Sequence, residues 1–132
     1  RSMDFTKQYG STDPKTNAEW VEHEGARFFI APANNIAFKN KTLEMFKMNE
    51  LQGGGLDKLT AKQVVEIESE IKAHTILLDW EQVEDQGQPC GYSRDKAKEM
   101  LTNYEQFRNF VDAESVKVAT AIKKVVEDKK KS

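Results

Sequence analysis

Residues 19–31 read as two short strands. Trp20 and Val21 on one side of Glu24-Gly25, and Phe28-Phe29-Ile30 on the other, put aromatic and β-branched side chains around a turn. An isolated hairpin is marginal in water, so this one is expected to rest on helices. Pro32 closes the second strand because it brings no N–H to a ladder.

Beyond Pro32 the apolar period lengthens. Asn34 or Asn35 can cap a helix that runs to about Leu51, with Ile36, Leu43, Met45 and Phe46 among its apolar positions. Gly53-Gly54-Gly55 stops it. Thr60 followed by Gln63 is a capping-box pair. Behind it Val64, Ile67, Ile71, Thr75 and Leu78 recur at steps of three and four, which predicts an amphipathic helix reaching Leu78. Trp80 and Val83 lead into Asp85-Gln86-Gly87-Gln88-Pro89, a turn by composition. Ser93 is a good N-cap for a helix through Leu101, and Asn103 with Gln106 marks a break and restart. From there Phe107, Val111, Ser115, Val118, Ala119, Ile122 and Val125 continue one apolar face.

These elements predict an α+β, mainly α protein: a helical bundle with a small N-terminal β-hairpin. Residues 3–17 are polar and read as a mobile arm, 18–128 as one domain and 129–132 as a basic tail. Arg1-Ser2 before Met3 reads as a vector remnant and is set aside. If the last helix is continuous to Asp128 it measures ~39 Å at 1.5 Å per residue. A compact domain of this length has a radius of gyration near ~14 Å. The end of that helix is therefore expected either to fray or to need cover from another chain. Phe107, Val111, Val118, Ile122 and Val125 are the candidates for self- or client-binding.

Composition narrows the class. Apolar residues at 38% and charged residues at 32% allow a folded core under a charged surface. The longest apolar run, Thr75-Ile76-Leu77-Leu78, ends at Asp79, far short of the ~20 residues that span a bilayer, so no membrane partner is expected. The lone Cys90 has no intramolecular disulfide partner, which fits a reducing compartment. A net charge of -2 gives no general attraction to nucleic acid. The charge is unevenly spread, with Asp79, Glu81, Glu84 and Asp85 in one cluster and Lys123, Lys124, Lys129, Lys130 and Lys131 in another. They are either two solvated surfaces or a head-to-tail contact between copies.

The residues offer little chemistry. His23 and His74 sit on different predicted elements, with no Cys or second His at ligand spacing, so no metal is expected. Cys90 has no nearby cation in sequence to make it a nucleophile. Gly53-Gly54-Gly55 lacks the Gly-Lys-Ser/Thr ending of a phosphate loop. The acidic turn lacks the oxygen spacing of a calcium loop. No catalytic residue and no cofactor follow from this sequence.

The most distinctive stretch is Asp79-Trp80-Glu81-Gln82-Val83-Glu84-Asp85-Gln86-Gly87-Gln88-Pro89-Cys90-Gly91-Tyr92-Ser93, followed by Ala97 and Met100-Leu101. It resembles the signature of tail assembly chaperones of long-tailed bacteriophages: a helix ending in Trp, an acidic Gly-Pro turn, then an aromatic-Ser step into a helix. Tyr104 to Val111 and Ala26 to Ala31 resemble neighbouring segments of that family, so the likeness runs from about Trp20 to Ile122. Trp80, Val83, Gly87, Pro89, Tyr92 and Ser93 are its motif residues. Cys90-Gly91 departs from the apolar residue expected after the proline.

The resemblance implies a non-enzymatic protein of the bacterial cytoplasm that binds the tape measure protein before the tail tube forms around it. It further implies self-association and later displacement by tail tube protein. The alternative expectation is a head–tail connector or tail completion protein kept in the virion.

Overall fold

Strand β2 (Ala26–Ile30) lies at the centre of a three-stranded antiparallel sheet, between β1 (Glu19–His23) and β3 (Leu77–Glu81). A computed structural model describes residues 13–51, 53 and 55–130, and of residues 56 and 123–130 the backbone alone. The arm and vector pair expected over residues 1–12 lie outside the described residues. Pro14–Asn17 form a 3-10 turn capped by Asp13, so the part of the arm that is described is ordered into a turn.

The β1–β2 register sets Trp20 opposite Phe29 and Val21 opposite Phe28. Glu24 and Gly25 both have positive φ, 50° and 84°, the handedness of a two-residue turn that matches strand twist. Alternation then sends Phe28 and Ile30 inward, 6% and 0% exposed, and leaves Arg27 and Phe29 on the outer face.

The third strand corrects the sequence reading. The helix expected to reach Leu78 ends at Thr75, and Leu77–Glu81 pairs with β2, Trp80 opposite Phe28 and Asp79 opposite Phe29. Trp80 therefore ends no helix; it stands in a strand. Ile76, Leu77 and Leu78 are all buried, a continuous apolar run that fits a strand covered on its faces as well as it fits a helix end. The open edge of β2 needs hydrogen-bond partners, and that requirement decides the choice. Ala31 N–H donating to Ile76 O at 2.9 Å starts the pairing.

The helices, α1 (Ile36–Leu51), α2 (Ala61–Thr75), α3 (Arg94–Asn103) and α4 (Glu105–Lys130), supply most of the chain, so the architecture is α+β and mainly α. The Thr60–Gln63 capping box opens α2, with bonds of 3.1 and 2.9 Å. Ser69 and Ala73 of α2 and Ala97 of α3 are all buried, and such small side chains let two helices close on each other. Helix α3 stops at Tyr104, where Arg108 of α4 donates to Leu101 O at 2.7 Å and so satisfies an orphan carbonyl. Lys72 and Asp112, 2.9 Å apart, tie α2 to α4. Ile30, Leu77, Leu101 and Val111 are fully buried, one each from β2, β3, α3 and α4.

Helix α1 is different. None of its sixteen residues is buried. Its N-terminus is held by Asn35, which accepts from Phe38 N–H at 2.9 Å and donates to Pro32 O and Thr75 O.

Candidate functional site

The motif residues fold into one clasp at the end of β3. The Trp80 ring is buried, and its Nε1–H donates to Cys90 O at 2.8 Å. Cys90 N–H donates to Val83 O at 2.8 Å. Between them β4 (Glu84–Asp85) and β5 (Gln88–Pro89) make a minimal hairpin, Glu84 opposite Pro89. Its turn residues Gln86 and Gly87 have φ of 54° and 77°. Val83 and Cys90 are half-buried against the core, while Pro89 is exposed.

Tyr92 closes the clasp from the other side. Its ring meets Trp80 edge-on at 5.1 Å and 89°, and its hydroxyl donates to Leu77 O at 2.7 Å, with Ala73 O at 3.2 Å. Burial pushes the Tyr92 phenol up to about 12, with the Asp79 charge adding to the shift and Arg94 opposing it. Ser93 Oγ accepts from Lys96 N–H at 3.0 Å and starts α3. Lys96 reaches back to Asp85 at 3.0 Å and to Glu99 at 3.1 Å, and these bonds raise its pKa. The clasp thus joins β3, the small hairpin and α3.

The acidic cluster is largely answered within the chain. Glu81 pairs with Arg27 at 3.1 Å, Asp85 pairs with Lys96, and Asp79 accepts from its neighbour's Trp80 N–H at 2.8 Å. Glu84, exposed like Asp79 and Glu81, makes no such bond among the described residues.

The apolar stripe of the last helix is distributed differently from the self- or client-binding expectation. Val111 and Val118 are buried in this chain, 0% and 7% exposed. Phe107 is half-buried and packs on Phe28 at 5.4 Å between ring centroids. Ile122 is half-buried, and the Val125 side chain lies outside the described residues.

The surface that sequence reasoning missed is on α1. Leu43 and Leu51 are 68% and 80% exposed, with Phe46 and Met48 at 40% and 46%. Beside them α1 and α2 enclose a cleft of about 400 Å³ lined by Phe38, Phe46, Val64, Ile67 and Ile71, with Glu68 and Lys72 at its polar margin. The signal was in the sequence: the apolar residues of 36–51 have no single face, so no packing against one neighbour could cover them all.

Half-buried His74 of α2 has its pKa lowered by burial and then by Lys41 and Arg94. Among the described residues no three His, Cys, Asp or Glu side chains are grouped to hold a metal ion, and no helix is long and apolar enough to cross a membrane.

Residues 32–132 match the model of a family described as YdaY prophage protein. The match begins at Pro32, after the β1–β2 hairpin, and takes in α1, the clasp and α4. No curated protein and no solved structure matches the chain.

Proposed function

The chain belongs to the YdaY prophage protein family, and on that premise we propose that it is a non-enzymatic tail assembly chaperone. In this reading it binds the tape measure protein and keeps it soluble until the tail tube polymerises around it. Helix α1 carries the reading. Exposed Leu43, Phe46, Met48 and Leu51, spread around α1 beside an apolar cleft, offer apolar surface to the apolar face of a helical client. Holding such a client in solution takes surface alone, with no cofactor and no bond chemistry.

The test is co-expression with the long tape measure protein, followed by size exclusion with light scattering. A stable soluble complex is expected. Leu43→Lys with Leu51→Lys should weaken it by about tenfold or more, since truncated anchors in such interfaces cost upward of ~1 kcal/mol each. Lysine is a good helix former and both positions are exposed, so melting should move by less than about 0.5 kcal/mol in stability. A client that aggregates regardless, with this chain retained in purified particles, would replace the proposal by a head–tail connector or tail completion protein.

A further inference from the structure

A second concave surface shares no residue with the α1–α2 cleft. Its floor is aromatic: Phe28 of β2 meets Phe107 and Phe110 of α4 at 5.4 and 5.8 Å, and His23 of β1 stacks on Phe110 at 4.1 Å. Two adjoining hollows, of about 520 and 280 Å³, have Phe28, Val83, Glu84 and Phe107 in common. They form one groove from the β1–β2 turn to Tyr104, which is 53% exposed.

The rim of this groove is acidic. Glu24 stands in the β1–β2 turn and Glu84 at the start of β4, both exposed, with Asp85 next in line. Among the described lining residues there is no Lys or Arg. Lys96, Arg27 and Arg108 in the adjacent segments are engaged by Asp85 and Glu99, by Glu81, and by the carbonyls of Leu101 and Thr102. A negative rim over an apolar floor selects a segment that is cationic and apolar at once.

One such segment is in the chain itself. Residues 123–131 read Lys-Lys-Val-Val-Glu-Asp-Lys-Lys-Lys, five lysines against two acids, with Val125-Val126 between the basic blocks. Residues 123–130 cannot reach the groove of their own molecule. Helix α4 is continuous over Glu105–Lys130, and Phe107 and Phe110 of its first two turns form the groove floor. At 1.5 Å per residue, Lys123 to Lys130 lie about 20 to 30 Å further along the same rod. We propose that the groove takes segment 123–131 of a second copy of this chain. Val125 and Val126 would meet the half-buried rings of Phe107 and Phe110, which lie on buried Phe28, and the lysines the Glu24 and Glu84 rim. Each copy then offers a groove near one end of α4 and a basic segment at the other. Such a contact is heterologous and adds copies in sequence, closing a ring or extending a filament. It rests on the groove and not on the client reading, and its test contains no client.

The full chain should form concentration-dependent oligomers at about 0.05 M salt and disperse towards monomer at about 0.5 M, as exposed charge pairs are screened. By sedimentation velocity, Glu24→Lys/Glu84→Lys should raise the concentration needed for assembly by about tenfold or more, and Lys123→Glu/Lys124→Glu should do the same. Mixing the two swapped variants in equal amounts should restore assembly, because each then presents a complementary surface to the other. Circular dichroism checks that each variant is folded. If Glu24→Lys/Glu84→Lys is not, Glu24→Gln/Glu84→Gln takes its place with a smaller expected shift. A parent that stays monomeric at low salt, variants that assemble like the parent, or swapped variants that stay apart when mixed would each overturn the proposal.

Discussion

Trp80 and Tyr92 show how two side chains hold three elements in register. Each gives its polar hydrogen to a backbone carbonyl, Trp80 to Cys90 O and Tyr92 to Leu77 O. Their rings supply the apolar contact between those bonds. Cys90, where an apolar residue was expected, does what a small hydrophobe does: it is half-buried against the core and contributes a backbone acceptor. Tyr92→Phe should keep the ring packing and lose the bond to Leu77 O, at a cost of about 1–2 kcal/mol in urea unfolding. The same residue makes a pH prediction. The folded phenol keeps its proton up to about 12, whereas an unfolded tyrosine releases it near the ordinary value of 10. Between those values the folded state binds more protons, so stability falls as pH rises through that window. Tyr92→Phe should flatten the fall. An equal slope in both proteins would show that the Tyr92 proton is not held by the fold.

The β4–β5 hairpin has strands of only two residues each, so its turn conformation matters all the more. Gln86 and Gly87 both take positive φ, and a Cβ on Gly87 would meet nothing within 4 Å. Gly87→Ala therefore isolates the backbone term and should cost about 1 kcal/mol. Gly91→Ala, also in open space but without a positive φ, should be neutral or slightly stabilising by thermal melting. Equal losses at the two sites would mean that the turn carries no conformational constraint. Helix ends and turns of this kind were legible in the sequence because short-range chemistry writes them: Thr60 with Gln63, Ser93, Asn35, and the break near Tyr104. Strand β3 was not legible. Leu78 falls in helical step with Ile71 and Thr75, and only the open edge of β2, some fifty residues away, turns that segment into a strand. The candidate surfaces were hidden for the same reason. Val111 and Val118 look like any helix stripe until the fold buries them, and Leu43 and Leu51 of α1 look like core until the fold leaves them exposed.

Taken whole, the molecule has two tiers of burial. Leu101, Val111, Leu77 and Ile30 draw α3, α4, β3 and β2 onto one core, and α2 joins it through Ile71 and Ala73. Helix α1 contributes no buried residue; Phe38 packs against the core from its first turn, and Asn35 fixes its start through Pro32 O and Thr75 O. Local stability follows buried apolar contact, so α1 should open independently of the rest. Native-state hydrogen exchange read by mass spectrometry should find the amides of α1 exchanging at least about a hundredfold faster than those of α2 and of the β2–β3 ladder. On the proposed reading, a helix with no buried residue can adjust its exposed apolar side chains to a client without disturbing the core, and a displaceable chaperone needs that property. If α1 were protected within about tenfold of α2, it would belong to the cooperative core. Its exposed leucines would then be fixed surface features, and the case for α1 as the client-adapting element would fall.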